Sequence, residues 1–113
     1  MVFVVKAGSV TLSANGTGTI SIDVSAGKRF VIDKITFNST GTFSITEIKD
    51  TATGQYYNVG TVKSGVLKNK ANVNLIEVVP PIELVGSTSL VFNITDTSGS
   101  SNTVDIACWG NEE

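Results

Sequence analysis

Five carboxylates could in principle do acid–base work: Asp23, Asp33, Glu47, Glu77 and Glu83. Two of them facing each other across a cleft would be the machinery of a glycosidase. Most of them alternate with apolar residues along extended runs, which turns them to solvent. The chain has no histidine, which removes Ser-His-Asp and Cys-His nucleophilic sites and zinc sites built on imidazole. Its single cysteine, Cys108, can form neither an internal disulfide nor a thiolate cluster. With no imidazole to activate it, Cys108 reads as a small buried hydrophobe. Asp50-Thr51-Ala52-Thr53-Gly54 and Asp96-Thr97-Ser98-Gly99 bring oxygens close to a glycine, but neither follows the calcium-loop spacing. Capping of their own backbone by the Asp and Thr oxygens accounts for both. Gly16-Thr17-Gly18 is a turn and not a phosphate cradle. The expectation is a protein that is not an enzyme, with no catalytic, cofactor-binding or metal residues.

Tyr56, Tyr57 and Trp109 are the rings expected to lie partly exposed. Such rings stack on sugars or bury themselves in a subunit contact. Three Asn-x-Ser/Thr sequons, at Asn15, Asn38 and Asn93, matter only in a secretory pathway. Met1–Lys6 has no positively charged leader and too short an apolar run for a classical signal. No stretch approaches the roughly 18 apolar residues of a membrane-spanning helix.

These residues must be held by strands. Thr (14), Ser (12), Asn (9) and Gly (11) dominate the 113 residues, and only 16% are charged. Thr, Val and Ile favour strands, whereas Gly, Asn and Ser favour turns. No window carries apolar residues at helical spacing without a better strand reading. A net charge of −2 argues against direct nucleic-acid binding. Low charge and abundant Ser and Thr suit a surface that lies against neutral partners or its own copies.

Read in order, Val2–Lys6 is apolar on both faces and would need cover on both. It reads as an N-terminal arm (residues 1–7) or a swapped strand, with Val2, Phe3, Val4 and Val5 as subunit contacts. Gly8 is expected to end it. Asn15-Gly16 signals a hairpin between Val10–Leu12 and Thr19–Val24. In Arg29–Asn38 the pair Phe30/Ile32 is out of phase with Ile35/Phe37, so a β-bulge is expected near Asp33-Lys34. A second slip falls near Glu47. Gln55–Val59 is a short strand, and Gly60–Ala71, with Lys63, Lys68 and Lys70, a long exposed loop. Asn72–Val79 has Val73 and Leu75 on one side, and Pro80-Pro81 then interrupts hydrogen bonding. Leu90, Phe92 and Ile94, then Val104, Ile106 and Cys108, alternate across two strands that read as a hairpin joined by residues 96–102. Residues 111–113 read as a frayed acidic tail. The result is one all-β domain over 1–113: a single antiparallel β-sandwich, jelly-roll-like, of about eight strands and no helix.

The runs Arg29–Phe37, Phe43–Gly54 and Glu83–Gly99, closing in Val104–Gly110, resemble small phage and virus structural proteins of jelly-roll type over residues 28–110. The resemblance implies a capsid or capsid-decorating subunit of the virion that acts by self-assembly. Its partners would be copies of itself and other capsid proteins, with no active site to carry over. Two alternatives stand beside it. One is a carbohydrate-binding or adhesin module, extracellular or at the cell surface, using Tyr56, Tyr57 and Trp109 on one face. The other is an extracellular filament subunit joined through its first residues.

Overall fold

A computed structural model describes residues 2–67 and 74–113. Among the described residues there are eight strands: β1 (Val2–Leu12), β2 (Thr17–Asp23), β3 (Arg29–Ser39), β4 (Phe43–Asp50), β5 (Val62–Lys63), β6 (Leu75–Val85), β7 (Ser89–Asp96) and β8 (Asn102–Glu112). A single 3₁₀ turn, Ser64–Val66, follows β5. The strands form two antiparallel four-stranded sheets, one ordered β1-β8-β3-β6 and the other β2-β7-β4-β5. This is the jelly-roll order, two Greek keys rolled into a sandwich, and it bears out the expected all-β fold. No helix among the described residues is long and apolar enough to cross a membrane.

The inward-facing residues are those marked by the period of two. Ile20 and Ile22 of β2, Phe30 and Ile32 of β3, Leu90, Phe92 and Ile94 of β7, and Val104, Ile106 and Cys108 of β8 form one closed core. Burial pushes the Cys108 thiol up to about 12, so it stays protonated and packs as a hydrophobe. Both expected bulges are present. The register slips between Ile32 and Lys34 and again between Ile45 and Glu47, which returns Ile35, Phe37 and Ile48 to the inner side.

The connectivity departs from the sequence reading. β7 and β8 do not form a hairpin: β7 lies between β2 and β4, whereas β8 lies between β1 and β3 in the other sheet. The strands joined at Asn15-Gly16 are likewise split, β1 pairing with β8 and β2 with β7. These connections are arches over the end of the sandwich. An arch and a hairpin have the same alternation and the same turn residues, so periodicity cannot separate them.

The difference lies in two buried polar side chains. Asp96 is 2% exposed and Asn102 fully buried. One Asp96 oxygen accepts from the Asn15 amide at 2.8 Å and the Gly99 amide at 3.0 Å. The other accepts from the Ser98 hydroxyl (2.6 Å), the Ser98 amide (3.0 Å) and Asn102 Nδ2 (3.0 Å). Asn102 Nδ2 also donates to the Thr42 carbonyl at 2.9 Å, and its Oδ1 accepts from the Gly41 amide at 3.0 Å. The arches β1–β2, β3–β4 and β7–β8 are thereby tied at one end of the molecule.

Other expectations are also revised. β1 runs through Gly8 unbroken, because a Cβ there would strike Ile20 Cγ2 at 2.6 Å, and only glycine lets β1 pack this close to β2. Val2–Lys6 lies within the chain's own sheet, opposite Trp109–Glu112 and Cys108. The acidic end is no frayed tail: Asn111 and Glu112 belong to β8, and Glu113 exchanges two backbone hydrogen bonds with Arg29. Of Gln55–Val59 only Tyr56 bridges, to Lys49. Pro80 and Pro81 sit within β6, an edge strand, where absent N–H donors are tolerated. Lys68, Lys70 and Val73 lie outside the described residues.

The Ser98 hydroxyl, with the amides of Asn15 and Ser98 and the Asn102 side chain, holds the Asp96 carboxyl well below the usual carboxylate range, against the opposing effect of burial. A depressed folded-state pKa gives stability that is present above the unfolded value near 4 and lost as pH falls below it. Asp96→Asn is therefore expected to melt below wild type at pH 7, with the gap narrowing toward pH 2.5. Thermal unfolding followed by circular dichroism across that range checks it, and a gap independent of pH would rule out the carboxylate as its source.

Candidate assembly interface

The two sheets present different surfaces to the outside. On the sheet containing β7 the outer face is a polar lattice. Thr19 Oγ1 donates to Asn93 Oδ1 at 2.8 Å, Asn93 Nδ2 donates to Glu47 Oε2 at 2.9 Å, and Asp23 accepts from the Ser21 hydroxyl at 2.7 Å and from that of Ser89. Bonds from both serines hold the Asp23 carboxyl below its ordinary range. Such a face is already satisfied.

The outer face of the β8 sheet is apolar at its β1 corner. Odd-numbered β1 residues point outward there, with Phe3 63% and Val5 41% exposed. Val5 lies opposite Trp109 and Ala7 opposite Ala107. The Phe3 and Trp109 rings meet at 6.2 Å with planes tilted by 42°. Trp109 Nε1 donates to Thr36 Oγ1 at 2.9 Å, which fixes the indole flat across β3 and β8. Phe3, Val5, Ala7, Ala107 and Trp109 thus form one apolar stripe, whereas Val2 (64% exposed), with the parity of Val4, lies on the other side of the strand. Val4 faces the other way and packs against the core.

β1 is also an edge strand. Arg29 and Glu113 exchange both backbone bonds, and antiparallel ladders alternate. Odd-numbered β8 residues therefore turn their backbone groups toward β3, and even-numbered ones toward β1. The Thr40 amide bonding to the Thr103 carbonyl obeys the same phase. Across the continuous β1–β8 register, the even-numbered β1 residues bond β8. The backbone N–H and C=O of Phe3, Val5, Ala7, Ser9 and Thr11 point out from the free edge.

The structure brings together only part of the sequence-derived set. Phe3, Val5 and Trp109 share a surface; Val2 and Val4 lie on the other side of β1. Tyr56 lies on the opposite sheet, under the Lys49 ammonium at 5.5 Å. Tyr57 lines a separate cleft of about 590 Å³ between β6 and β4, with Ile35, Ile48 and Ile76. Burial, followed by the nearby Asp50, raises the Tyr57 hydroxyl above its ordinary range. The three rings do not form the single platform that a sugar site on them required. The carboxylates are dispersed too. Asp23 pairs across from Ser89 and Glu47 from Asn93, four residues further along β7, or about 13 Å at ordinary strand rise. Glu83 engages Arg29 on the other sheet. The partnership of Ala7 with Ala107 was invisible in the sequence, because it depends on a register between the first and last strands.

No family model matches this chain, and neither does any curated protein. Among solved structures, it is similar to the Drosophila NLP-core, a crystal structure described in terms of pentamer formation and histone binding. The TM-score is 0.43 and the identity 17%, over 95% of this chain and 97% of that one. The expectation of a capsid or capsid-decorating virion subunit is corrected here. The similar structure is described in terms of pentamer formation and histone binding, and no family model or curated protein supplies a virion role.

Thr36→Val removes the side-chain acceptor of the Trp109 N–H at nearly constant volume. It is expected to cost about 1 kcal/mol, as for a typical hydrogen bond, and to weaken the near-ultraviolet dichroism of Trp109. An unchanged indole band would show that Thr36 does not set the ring.

Proposed function

We propose that this chain is a non-enzymatic structural subunit that works by associating with copies of itself through the β1 corner. The observation that carries this reading is an 11-residue edge strand with unpaired outward backbone groups and exposed apolar side chains. Edge strands of proteins that stay monomeric are usually blunted by proline, charge or shortness. The other edges differ from β1: β5 has two residues, β6 contains Pro80 and Pro81 between Glu77 and Glu83, and β2, also free of proline, has seven residues whose outward Thr19, Ser21 and Asp23 side chains belong to the polar lattice. β1 has no proline, and its one charge, Lys6, is drawn into an ion pair with Glu112 at 3.1 Å and over the Phe30 ring. Large apolar side chains left in water beside such an edge are characteristic of protein contacts.

Light scattering over a dilution series from micromolar downward tests the proposal. The expected result is a multimer that dissociates on dilution. Phe3→Asp combined with Val5→Asp should weaken association about tenfold or more while the melting temperature of the dissociated chain hardly changes. A monomer at every concentration would overturn the reading.

A further inference from the structure

We infer that β1 pairs antiparallel with β1 of a second copy about a two-fold axis through Ala7, joining two four-stranded sheets into one continuous sheet of eight strands. This rests on the self-association proposed above and specifies its geometry. Residues that hydrogen-bond across an antiparallel seam must both turn their backbone groups toward it. On β1 these are Phe3, Val5, Ala7, Ser9 and Thr11, by the alternation fixed at Arg29–Glu113 and Thr40–Thr103. A two-fold through Ala7 sets Ala7 against its own copy, Val5 against Ser9 and Phe3 against Thr11. All five positions then pair, each pair exchanging two N–H···O bonds. Shifting the axis to Lys6 or Val5 leaves outward groups unpaired.

Three features select a second copy of the same strand as the occupant. First, the outward side chains of β1 are uncharged, so a strand laid against itself brings no like charges together; Lys6 is engaged by Glu112 on the inner side. Second, the chain's other edges match the 11 residues of β1 less well, because β6 lacks the donors of Pro80 and Pro81 and carries Glu77 and Glu83, β2 has seven residues and ends in Asp23, and β5 has two. A β1-to-β6 chain of subunits is thereby disfavoured, and the contact closes on itself as an isologous pair. Third, the seam runs beside the stripe of Phe3, Val5 and Trp109, so strand addition extends an existing apolar surface and leaves none of it isolated.

Ala7→Pro is the test. The Ala7 N–H points away from β8, so proline removes a seam donor without removing a bond of the chain's own sheet. Light scattering should show association weakened at least tenfold, with far-ultraviolet dichroism unchanged. In the wild-type protein, amide hydrogen exchange offers a second measurement that needs no variant. The amides of Phe3, Val5, Ala7, Ser9 and Thr11 should exchange at least tenfold more slowly at high concentration than at low, while those of Val4, Lys6 and Val10 change little. If the wild type associates but these odd amides exchange equally fast at both concentrations, the edge seam is wrong and self-association stands. If Ala7→Pro folds and associates like wild type, the seam is likewise wrong. A wild type that never associates removes both.

Discussion

Asp96 and Asn102 organise this molecule from a single buried point. Each is almost wholly removed from water, and a buried carboxylate is tolerable only when its oxygens are filled by donors. Here the donors come from two crossings of the sandwich end, Asn15 between β1 and β2 and Ser98, Gly99 and Asn102 at the β7–β8 crossing, and Asn102 in turn grips Gly41 and Thr42 at a third, between β3 and β4. The chain passes repeatedly from one sheet to the other, since every consecutive pair of strands except β4 and β5 crosses between them. The polar cluster sets how the crossings sit relative to one another, and the apolar layer between the sheets then packs against a fixed frame.

From that frame follows the asymmetry of the surface. The bulge between Ile32 and Lys34 and the prolines of β6 curl and blunt one side of the β8 sheet. At the other side β1 pairs with β8 in unbroken register over 11 residues and packs tightly on β2 through Gly8. The polar lattice on the β7 sheet uses up its own hydrogen-bonding capacity. On the β8 sheet, unused backbone groups and exposed apolar rings come together where Phe3, Val5 and Trp109 meet.

Much of this was legible in the residues. Alternation marked the inner faces of β2, β7 and β8, and phase slips marked both bulges, because the pleat leaves side chains no choice of face. The hairpins were misread for a physical reason: Asn15-Gly16 and Asp96–Asn102 have turn chemistry that serves an arch as well as a hairpin. What decides between them is the long-range bonding of Asp96 to Asn15, 81 residues away. The apolar character of Val2–Val5 on both faces pointed to a contact surface, but its companions Ala107 and Trp109 could be named only once β1 was seen to lie against β8. The Tyr56, Tyr57 and Trp109 grouping failed because side-chain type says nothing about which sheet a ring will occupy.

The pairing of β1 with β8 joins the first strand to the last, Val2 lying opposite Glu112. During synthesis β1 therefore waits for its partner until β8 has emerged. At about 5–20 residues per second this takes roughly 5–20 s. Throughout that interval both edges of an apolar strand are exposed on the nascent chain. Sheets closed by such distant contacts fold slowly, since the entropy of closing the loop must be met before any pairing repays it. The strand best fitted to join subunits is thus also the one left longest without a partner, and its low charge makes that interval the point in the protein's life most exposed to misassembly.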